Sequence, residues 1–263
     1  MKRVILTAVL ALGVALPSFA DVTVKSKVAG KGMGGASLET TSTTYIKGNK
    51  MRTETVTGDT TRSMIFDVDA QKLYSFDSKK KEADVWDMAD FGKQISANVE
   101  TGGMKASVKA NGQTKELLGK SAAGYDMDIE VPATMGGKDG MKMTVHMTGP
   151  MWIVKGAPGT QEYITFYKAA IDKGFIFSDP RAAQGQPGQA KAMSEMYRQL
   201  AATGGIPYET EMSIKMSGEG PMAGMMAKMG NITSTSTVQS IETTALAADM
   251  FAPPAGYKLN VKK

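Results

Sequence analysis

Methionine, whose side chain can bind metals or apolar ligands, is unusually frequent in this sequence, with 21 among 263 residues. Two groups stand out, at Met141, Met143 and Met147, and at Met222, Met225, Met226 and Met229. The second group has the i, i+3, i+4, i+7 spacing of one helix face. Because methionine is flexible and polarizable, such a face adapts to irregular apolar partners. The pattern predicts either a mobile lid over an apolar ligand or an ordinary stripe of core residues.

The first methionine group also allows a metal hypothesis. Thioether sulfur is a soft ligand suited to Cu(I), and Met143 and Met147 flank His146, the single histidine of the chain. On a regular strand, however, the two methionines point to one face and the histidine to the other. A copper site at these residues therefore needs a bulge, and it stays an alternative to an exposed or hydrogen-bonded histidine.

Other patterns that resemble catalytic motifs lie in the wrong context. Residues 30–35 match G-x-G-x-x-G, but strand-forming residues follow where a phosphate-binding helix should begin. Residues 78–81 match S-x-x-K but lie in a predicted turn without a partner motif. Asp126, Asp128 and Glu130 alternate along one strand face, where solvated acids are commoner than a cation site. With no cysteine and no supported nucleophile, we expect a protein that is not an enzyme and has no cofactor.

The charge of the chain does not indicate a nucleic-acid-binding protein. Lys and Arg number 31 against 26 for Asp and Glu, which gives a formal charge of +5. The basic residues are scattered rather than clustered on one segment, and the densest run is only Lys79 to Lys81. Because nucleic-acid binding usually shows as a clustered basic face, we expect no nucleic-acid partner.

The N-terminus has the layout of a secretory signal peptide. Lys2 and Arg3 precede an uncharged apolar run over 4–16, and small residues follow at Ser18 and Ala20. The run is shorter than the roughly 20 residues that a membrane-spanning helix needs, whereas the small residues suit a signal peptidase. We expect cleavage after Ala20, export to a bacterial periplasm, and no integral membrane segment in the mature chain.

Most of the mature chain has the pattern of antiparallel strands. Short segments rich in Thr, Val, Ile and aromatic residues alternate with turn residues. The predicted strands cover 22–28, 40–46, 51–57, 62–68, 72–76, 83–88, 105–109, 115–118, 124–131, 141–147, 151–154, 207–216 and 231–241. Their apolar side chains share one parity, which predicts a sheet with one apolar and one wet face. The Ser and Thr alternation over 233–237 predicts an exposed face.

Helices are expected only in the later part of the chain. Residues 161–172 place Tyr163, Phe166 and their neighbours at helical spacing, and residues 190–203 form a second candidate that ends before two glycines. The intervening stretch at about 179–189 is rich in Gly, Gln and Pro and predicts a flexible loop. The two prolines within 251–257 predict an extended tail.

Four segments carry a resemblance to a known family. They are Tyr45-Ile-Lys-Gly-Asn-Lys-Met-Arg52, Met64-Ile-Phe-Asp-Val-Asp69, Lys115-Glu-Leu-Leu-Gly-Lys120 with Tyr125, and Phe251-Ala-Pro-Pro-Ala-Gly-Tyr257. As a set, they resemble uncharacterised bacterial exported proteins grouped with the LolA/LolB-like periplasmic lipoprotein carriers. The resemblance implies a mainly β fold, an open and strongly curved antiparallel half-barrel with two or three covering helices. In characterised relatives the concave face holds acyl chains, and no catalytic residues accompany the family.

The sequence thus predicts a signal peptide over 1–20 and one domain over 21–263. The expected function is non-catalytic binding of a lipid or acylated peptide in an apolar concave face. The candidate face and lid residues are Phe66, Tyr74, Phe76, Trp86, Trp152, Tyr163, Phe166, Met222, Met225, Met226 and Met229. Two alternatives remain: a periplasmic copper-binding protein that uses Met143, His146 and Met147, and an envelope-associated structural module without a small ligand.

Overall fold

A computed structural model of the chain describes residues 21–32, 35–97, 104–135, 141–218, 223–224, 226 and 230–262. The predicted signal peptide and its cleavage site after Ala20 lie outside these residues, as do Met222, Met225 and Met229 of the methionine-rich segment. Within the described part of the chain, no helix is long and apolar enough to cross a membrane.

The described residues form one open sheet of twelve strands. Its order is β12-β6-β5-β4-β3-β2-β1-β11-β10-β9-β8-β7. The strands are β1 (Val22–Lys31), β2 (Ser37–Lys47), β3 (Lys50–Thr57), β4 (Thr60–Asp67), β5 (Lys72–Asp77), β6 (Glu82–Asp87), β7 (Lys105–Leu117), β8 (Lys120–Met135), β9 (Met141–Lys155), β10 (Gly205–Gly218), β11 (Ile232–Glu242) and β12 (Lys258–Val261).

The topology consists of two meanders joined side by side. β1 to β6 form one meander and β7 to β11 the other, and the two meet where β1 pairs antiparallel with β11. β12 runs parallel to its neighbour, β6. This curved, open antiparallel sheet confirms the predicted half-barrel.

Among the described residues, four α-helices accompany the sheet: α1 (Met88–Ala97), α2 (Thr160–Asp172), α3 (Pro180–Gly185) and α4 (Pro187–Thr203); Ala248–Phe251 form a short 3-10 helix. α4 packs across β7 to β10, and α2 contacts β2 and β10. α1 contacts β6, α3 and α4. The helices form a layer on one side of the sheet, which we call the inner face. The helices predicted over 161–172 and 190–203 correspond to α2 and α4.

α1 was not expected, because residue 88 had been assigned to the end of a strand. The strand ends instead at Asp87, whose carboxylate Oδ1 accepts the backbone N–H of Ala89 at 3.0 Å and of Asp90 at 3.2 Å. An aspartate in this position satisfies the free N–H groups of a helix start. Trp86 and Met88 therefore do not share a strand face.

The flexible loop predicted at about 179–189 is largely helical. Asp179 caps α3 by accepting the backbone N–H of Arg181 at 3.0 Å, and Pro180 occupies the first turn. Pro187 has the corresponding place in α4. Proline is compatible with a first helical turn because its missing N–H would have no intrahelical acceptor there. The prolines that predicted a loop thus mark two helix starts.

In two places, a pair of strands predicted separately forms one longer strand in the structure. The segments at 105–109 and 115–118 join in β7, where the register shifts between Ala110 and Thr114. Gly112 lies inside this bulge with a φ of 77°, a conformation that glycine adopts without strain. The segments at 141–147 and 151–154 similarly join in β9.

The sheet is not apolar on one face only. On the inner face, Phe66 pairs with Leu73 and packs with the helices. On the opposite, outer face of the same strands, Ile65 and Phe76 form a separate buried cluster with Phe251 of the C-terminal segment. The prediction of one apolar and one wet side is therefore wrong for β4 to β6, because the C-terminal segment covers their outer face.

Candidate ligand cavity

A cavity of about 280 Å³ lies between the helix layer and the middle of the sheet. Its floor is the inner face of β1, β2, β10 and β11, and its roof consists of α2 and α4. The volume lies just below the range of about 300–1,000 Å³ that is usual for small-molecule sites. The space is thus suited to one short chain or a single small ligand.

The floor is rich in hydroxyl groups. Strand pairing places Ser26 opposite Ser42, Val28 opposite Ser236, and Thr210 also opposite Ser236. Residues directly opposite each other in neighbouring strands point to the same side of the sheet, so these side chains form one continuous surface. The complete floor comprises Val24, Ser26, Val28, Ser42, Thr44, Ile206, Pro207, Thr210, Met212, Ser234, Ser236 and Val238.

Exposure alternates along β1 and most of β11 as this arrangement requires. In β1, Lys25 and Lys27 are exposed on the outer face, whereas Ser26 and Val28 are half-buried. Half-buried inner residues in the middle of a sheet show that no side chain of the helix layer fills the space above them. The cavity results from this incomplete contact.

The roof is aromatic and methionine-rich. α2 contributes Tyr163 and Tyr167, which are one helical turn apart with ring centroids 4.6 Å from each other. Tyr197 of α4 stacks on Tyr167 with centroids 4.8 Å apart and an angle of 8° between the rings. Aromatic contacts of this kind add to the hydrophobic gain of burial, so the three rings hold α2 and α4 together over the floor. Met193, Met196 and Leu200 complete the roof.

The cavity lining is electrically neutral. Among the described residues, no Lys, Arg, Asp or Glu side chain lines it. Burial is the main cause that raises the pKa of the phenols of Tyr163, Tyr167 and Tyr197. These phenols therefore remain protonated at neutral pH and offer uncharged hydroxyl groups. The site can bind apolar and neutral polar groups, but it has no charge with which to pair an ion.

The larger depressions of the described surface have a different character. One of about 730 Å³ lies beside α1 and is bordered by charged residues, among them Lys72, Asp87 and Lys93. Another, of about 340 Å³, lies near Pro132 and Lys142 at one end of β8 and β9. Because an uncharged ligand has no group to pair with these charges, the cavity under α2 and α4, none of whose described lining residues is charged, is the better candidate site.

The structure separates the aromatic residues that the sequence had grouped on one face. Tyr163 lines the cavity. Phe66, Trp86 and Phe166 are buried in the core next to it, where their rings pack against other side chains. They support the site rather than line it.

The remaining candidates lie elsewhere. Tyr74 and Phe76 belong to the outer cluster, where Phe76 makes an edge contact with Tyr257 at 5.6 Å between centroids. They are on the wrong side of the sheet for this cavity. Trp152 follows the buried Met151 in β9 and is itself only partly buried. The Lys115 ammonium group lies 4.5 Å from the centroid of its ring. Met226 is buried with residues of β8 to β10.

The residues of the copper hypothesis do not converge. Met143 and Met147 are buried on the inner face beneath α4. His146 points to the outer face, where its Nε2 lies 2.8 Å from a carboxylate oxygen of Asp128. β9 is regular across these three residues in its pairing with β8, so the bulge that a shared site would need is absent there. Among the described residues there is also no group of three or more His, Asp or Glu side chains suited to a metal ion.

The hydroxyl floor is the part of the site that sequence reasoning missed. The Ser and Thr alternation of residues 233–237 predicted an exposed face, and its threonines at 233 and 235 are indeed exposed. Ser234 and Ser236, on the alternate positions, line the cavity. The sequence signal was that small hydroxyl residues occupy alternate positions in β1, β2 and β11. This pattern indicates a shared hydroxyl surface only once these strands are known to be neighbours.

Known proteins similar to this chain are found among solved structures. No protein-family model and no curated protein matches the sequence. Among solved structures, the chain is similar to a LolA superfamily protein from Nitrosomonas europaea, with 7% sequence identity, a TM-score of 0.30, and coverage of 89% of this chain and 91% of that one. The fold and site of this protein themselves define its class: an open antiparallel half-barrel with a partly open cavity beneath its helices.

Proposed function

We propose that this protein is an exported, non-catalytic binding protein that holds a lipid or acylated ligand in the cavity between the sheet and the α2–α4 roof. The observation that carries the proposal is an uncharged space lined by Tyr163, Met193, Met196 and Leu200 on one side and by the inner sheet face on the other. Burial of apolar ligand surface against such a lining is favourable by roughly 25 cal/mol per Å².

The roof has properties expected of an adaptable binding surface. Methionine side chains fill irregular spaces and tolerate different apolar partners. Met193 is only half-buried, and Met196 beside it is buried. Small shifts of α4 relative to the floor would therefore change the size of the cavity without breaking a charged contact in its lining. This supports a site that accommodates a flexible chain.

Export is the second element of the proposal. The basic, apolar and small-residue segments over 1–20 support synthesis with a signal peptide that is cleaved after Ala20. A lipid ligand is consistent with work in the cell envelope, where acylated molecules are abundant and poorly soluble.

The direct test is native mass spectrometry of mature protein purified from a periplasmic extract, followed by organic extraction of the denatured sample. We expect a bound mass that denaturation releases as a lipid or acyl-peptide. A cavity-filling variant, Ser42→Phe, should lose this mass because residue 42 points into the cavity. Thr43→Phe is the matched control, since the next residue of β2 points to the outer face.

Two results would contradict the proposal. One is a wild-type protein that carries no ligand and acquires none from lipid vesicles. The other is retention of the ligand by Ser42→Phe at the wild-type level. The first result would favour the structural module without a small ligand.

A further inference from the structure

The chemistry of the cavity floor distinguishes it from a purely apolar binding site. Six of its side chains carry hydroxyl groups, namely Ser26, Ser42, Thr44, Thr210, Ser234 and Ser236. Valine is the usual choice where a strand faces an apolar core, because β-branched apolar side chains pack well there. A hydroxyl floor beneath a methionine and tyrosine roof is instead an amphipathic surface.

These hydroxyl groups are available to a ligand. Within the described part of the chain, none of the six is hydrogen-bonded to another protein side chain or backbone group. The six side chains are half-buried, and none of their oxygens is shut off from solvent. A ligand carbonyl or hydroxyl placed over the floor would replace hydration by a hydrogen bond to the protein, whereas a purely apolar ligand would leave these groups without a partner, which costs free energy. Each serine and threonine hydroxyl can both donate and accept, so the floor recognises either kind of neutral group.

An ionised group is disfavoured at the same place. Moving a carboxylate out of water is costly unless a cation compensates its charge. The nearest basic residues along β1, Lys25 and Lys27, point to the outer face, where they pair with Glu242 and Glu39. Since no described lining residue is basic, the cavity provides hydrogen bonds without a countercharge.

We infer that the cavity selects a ligand whose buried part is an apolar chain attached to a neutral hydrogen-bonding group, such as an ester, an amide or an alcohol, and that it discriminates against the corresponding free carboxylate. The chain lies against the roof, and the neutral group lies over Ser26, Ser42 and Ser236. This inference rests on the proposed function, because it names the chemical class that the same cavity accepts.

The test compares two soluble probes with the same acyl chain, mono-octanoylglycerol and octanoate, by isothermal titration calorimetry on the mature protein. At neutral pH the carboxyl group of octanoate is ionised. We expect the neutral probe to bind at least about tenfold more tightly, the ratio that a difference of 1.4 kcal/mol produces. Equal or tighter binding of octanoate would overturn the inference and leave the proposed function intact. Failure of both probes to bind would overturn both.

Charge introduced at the rim gives an independent readout. Met193 is half-buried in the roof, and lysine has a similar length, so Met193→Lys would place an ammonium group beside the ligand. We expect this variant to bind octanoate about tenfold more tightly than the wild type does, while Met193→Gln, which is polar but uncharged, does not. No gain for Met193→Lys over Met193→Gln would contradict the inference.

The floor itself is tested by removing its hydroxyl groups. The double variant Ser42→Ala with Ser236→Ala should weaken binding of mono-octanoylglycerol by about three- to tenfold, as expected for the loss of one hydrogen bond. The matched control removes hydroxyl groups from the outer face of the same strands, with Thr43→Ala and Thr235→Ala. An unchanged affinity in the floor variant would overturn the placement of the neutral group.

Discussion

Two regions of the inner face, which we call the packed half under α4 and the hydroxyl half in the middle of the sheet, carry different side chains beneath one helix layer. Under α4, the inner residues of β8 and β9 are large and fully buried, as Ile129, Val145 and Met147 show. In the middle of the sheet, the inner residues of β1 and β11 include small, half-buried hydroxyl residues such as Ser26 and Ser236, which lie beside valines. The first half anchors the helices by close packing. Because α4 is held there, it can extend over the second half without filling it.

The comparison shows that the cavity depends on packing contacts of α4 that lie outside the cavity lining. A space beneath a helix collapses unless the helix is held in place by other contacts. Gly188 allows α4 to approach the sheet closely, since a Cβ atom built there would lie only 2.7 Å from the Cβ of Ala133. Stability should therefore reside in the packed half, and ligand binding in the hydroxyl half.

The largest effect should follow from a truncation in the packed half. Met147→Ala removes a fully buried side chain from the core beneath α4, and substitutions of this kind cost about 2–5 kcal/mol of unfolding free energy. Met212→Ala, on the neighbouring strand but half-buried in the cavity lining, should cost less than half as much. Urea denaturation measures both. Equal losses would mean that the two halves are packed alike.

Overpacking the helix contact should have the next largest effect. Gly188→Leu would force a side chain against Ala133 and against Val145, whose Cγ2 would lie 3.2 Å from the new Cβ. We expect a loss of about 1–3 kcal/mol, together with weaker ligand binding because α4 shifts. Chemical denaturation and calorimetry on the same samples provide the measurements. A stabilised Gly188→Leu variant would contradict close packing at this point.

The tyrosine roof predicts a loss of stability at alkaline pH. Burial raises the pKa of the phenol of Tyr167 in the folded state, so the unfolded chain ionises first. The stabilising contribution is complete below the unfolded pKa of about 10 and is lost as pH rises toward the folded value, at about 1 kcal/mol per pH unit for each phenol. Tyr167→Phe should make the decline of unfolding free energy above pH 10 less steep. An unchanged slope would show that this phenol is not held neutral.

The smallest effect is expected on the cavity floor. Ser236→Val replaces a hydroxyl residue by one with higher strand propensity next to free space, so the unfolding free energy should change by no more than about 1 kcal/mol and should rise rather than fall. Thermal unfolding of this variant beside Thr235→Val, which alters the exposed outer face, measures the difference. A large loss would show that the Ser236 hydroxyl has a structural role in the unliganded protein.

The fold could be predicted from sequence patterns to the extent that its signals are local. Alternation and turn residues located the strands of both meanders, and aromatic spacing located α2, because period and turn chemistry depend on near neighbours in the chain. Where the same residue type serves two purposes, prediction failed. The prolines at 180 and 187 start helices rather than mark a loop, and Asp87 begins α1 where a strand had been expected to continue.

The candidate site was predictable only in part. Tyr163 lines the cavity, and its helical spacing with Phe166 had already placed it on the apolar side of a predicted helix. Tyr74 and Phe76 were placed on the wrong face, because their parity shows only that they lie on the same side, not which side. The side became known when the C-terminal segment was found to cover it.

The sequence by itself determined that the chain forms a large antiparallel sheet with two helices, α2 and α4, in its later part, because hydrophobic period and turn residues act over a few residues. Only the tertiary structure decided where the cavity lies. Pairing of β1 with β11 joins segments more than 200 residues apart, and this contact brings Ser26, Ser42 and Ser236 into one floor. No local pattern contains such a contact, since the free energy that selects it comes from the packing of both meanders and the helix layer together.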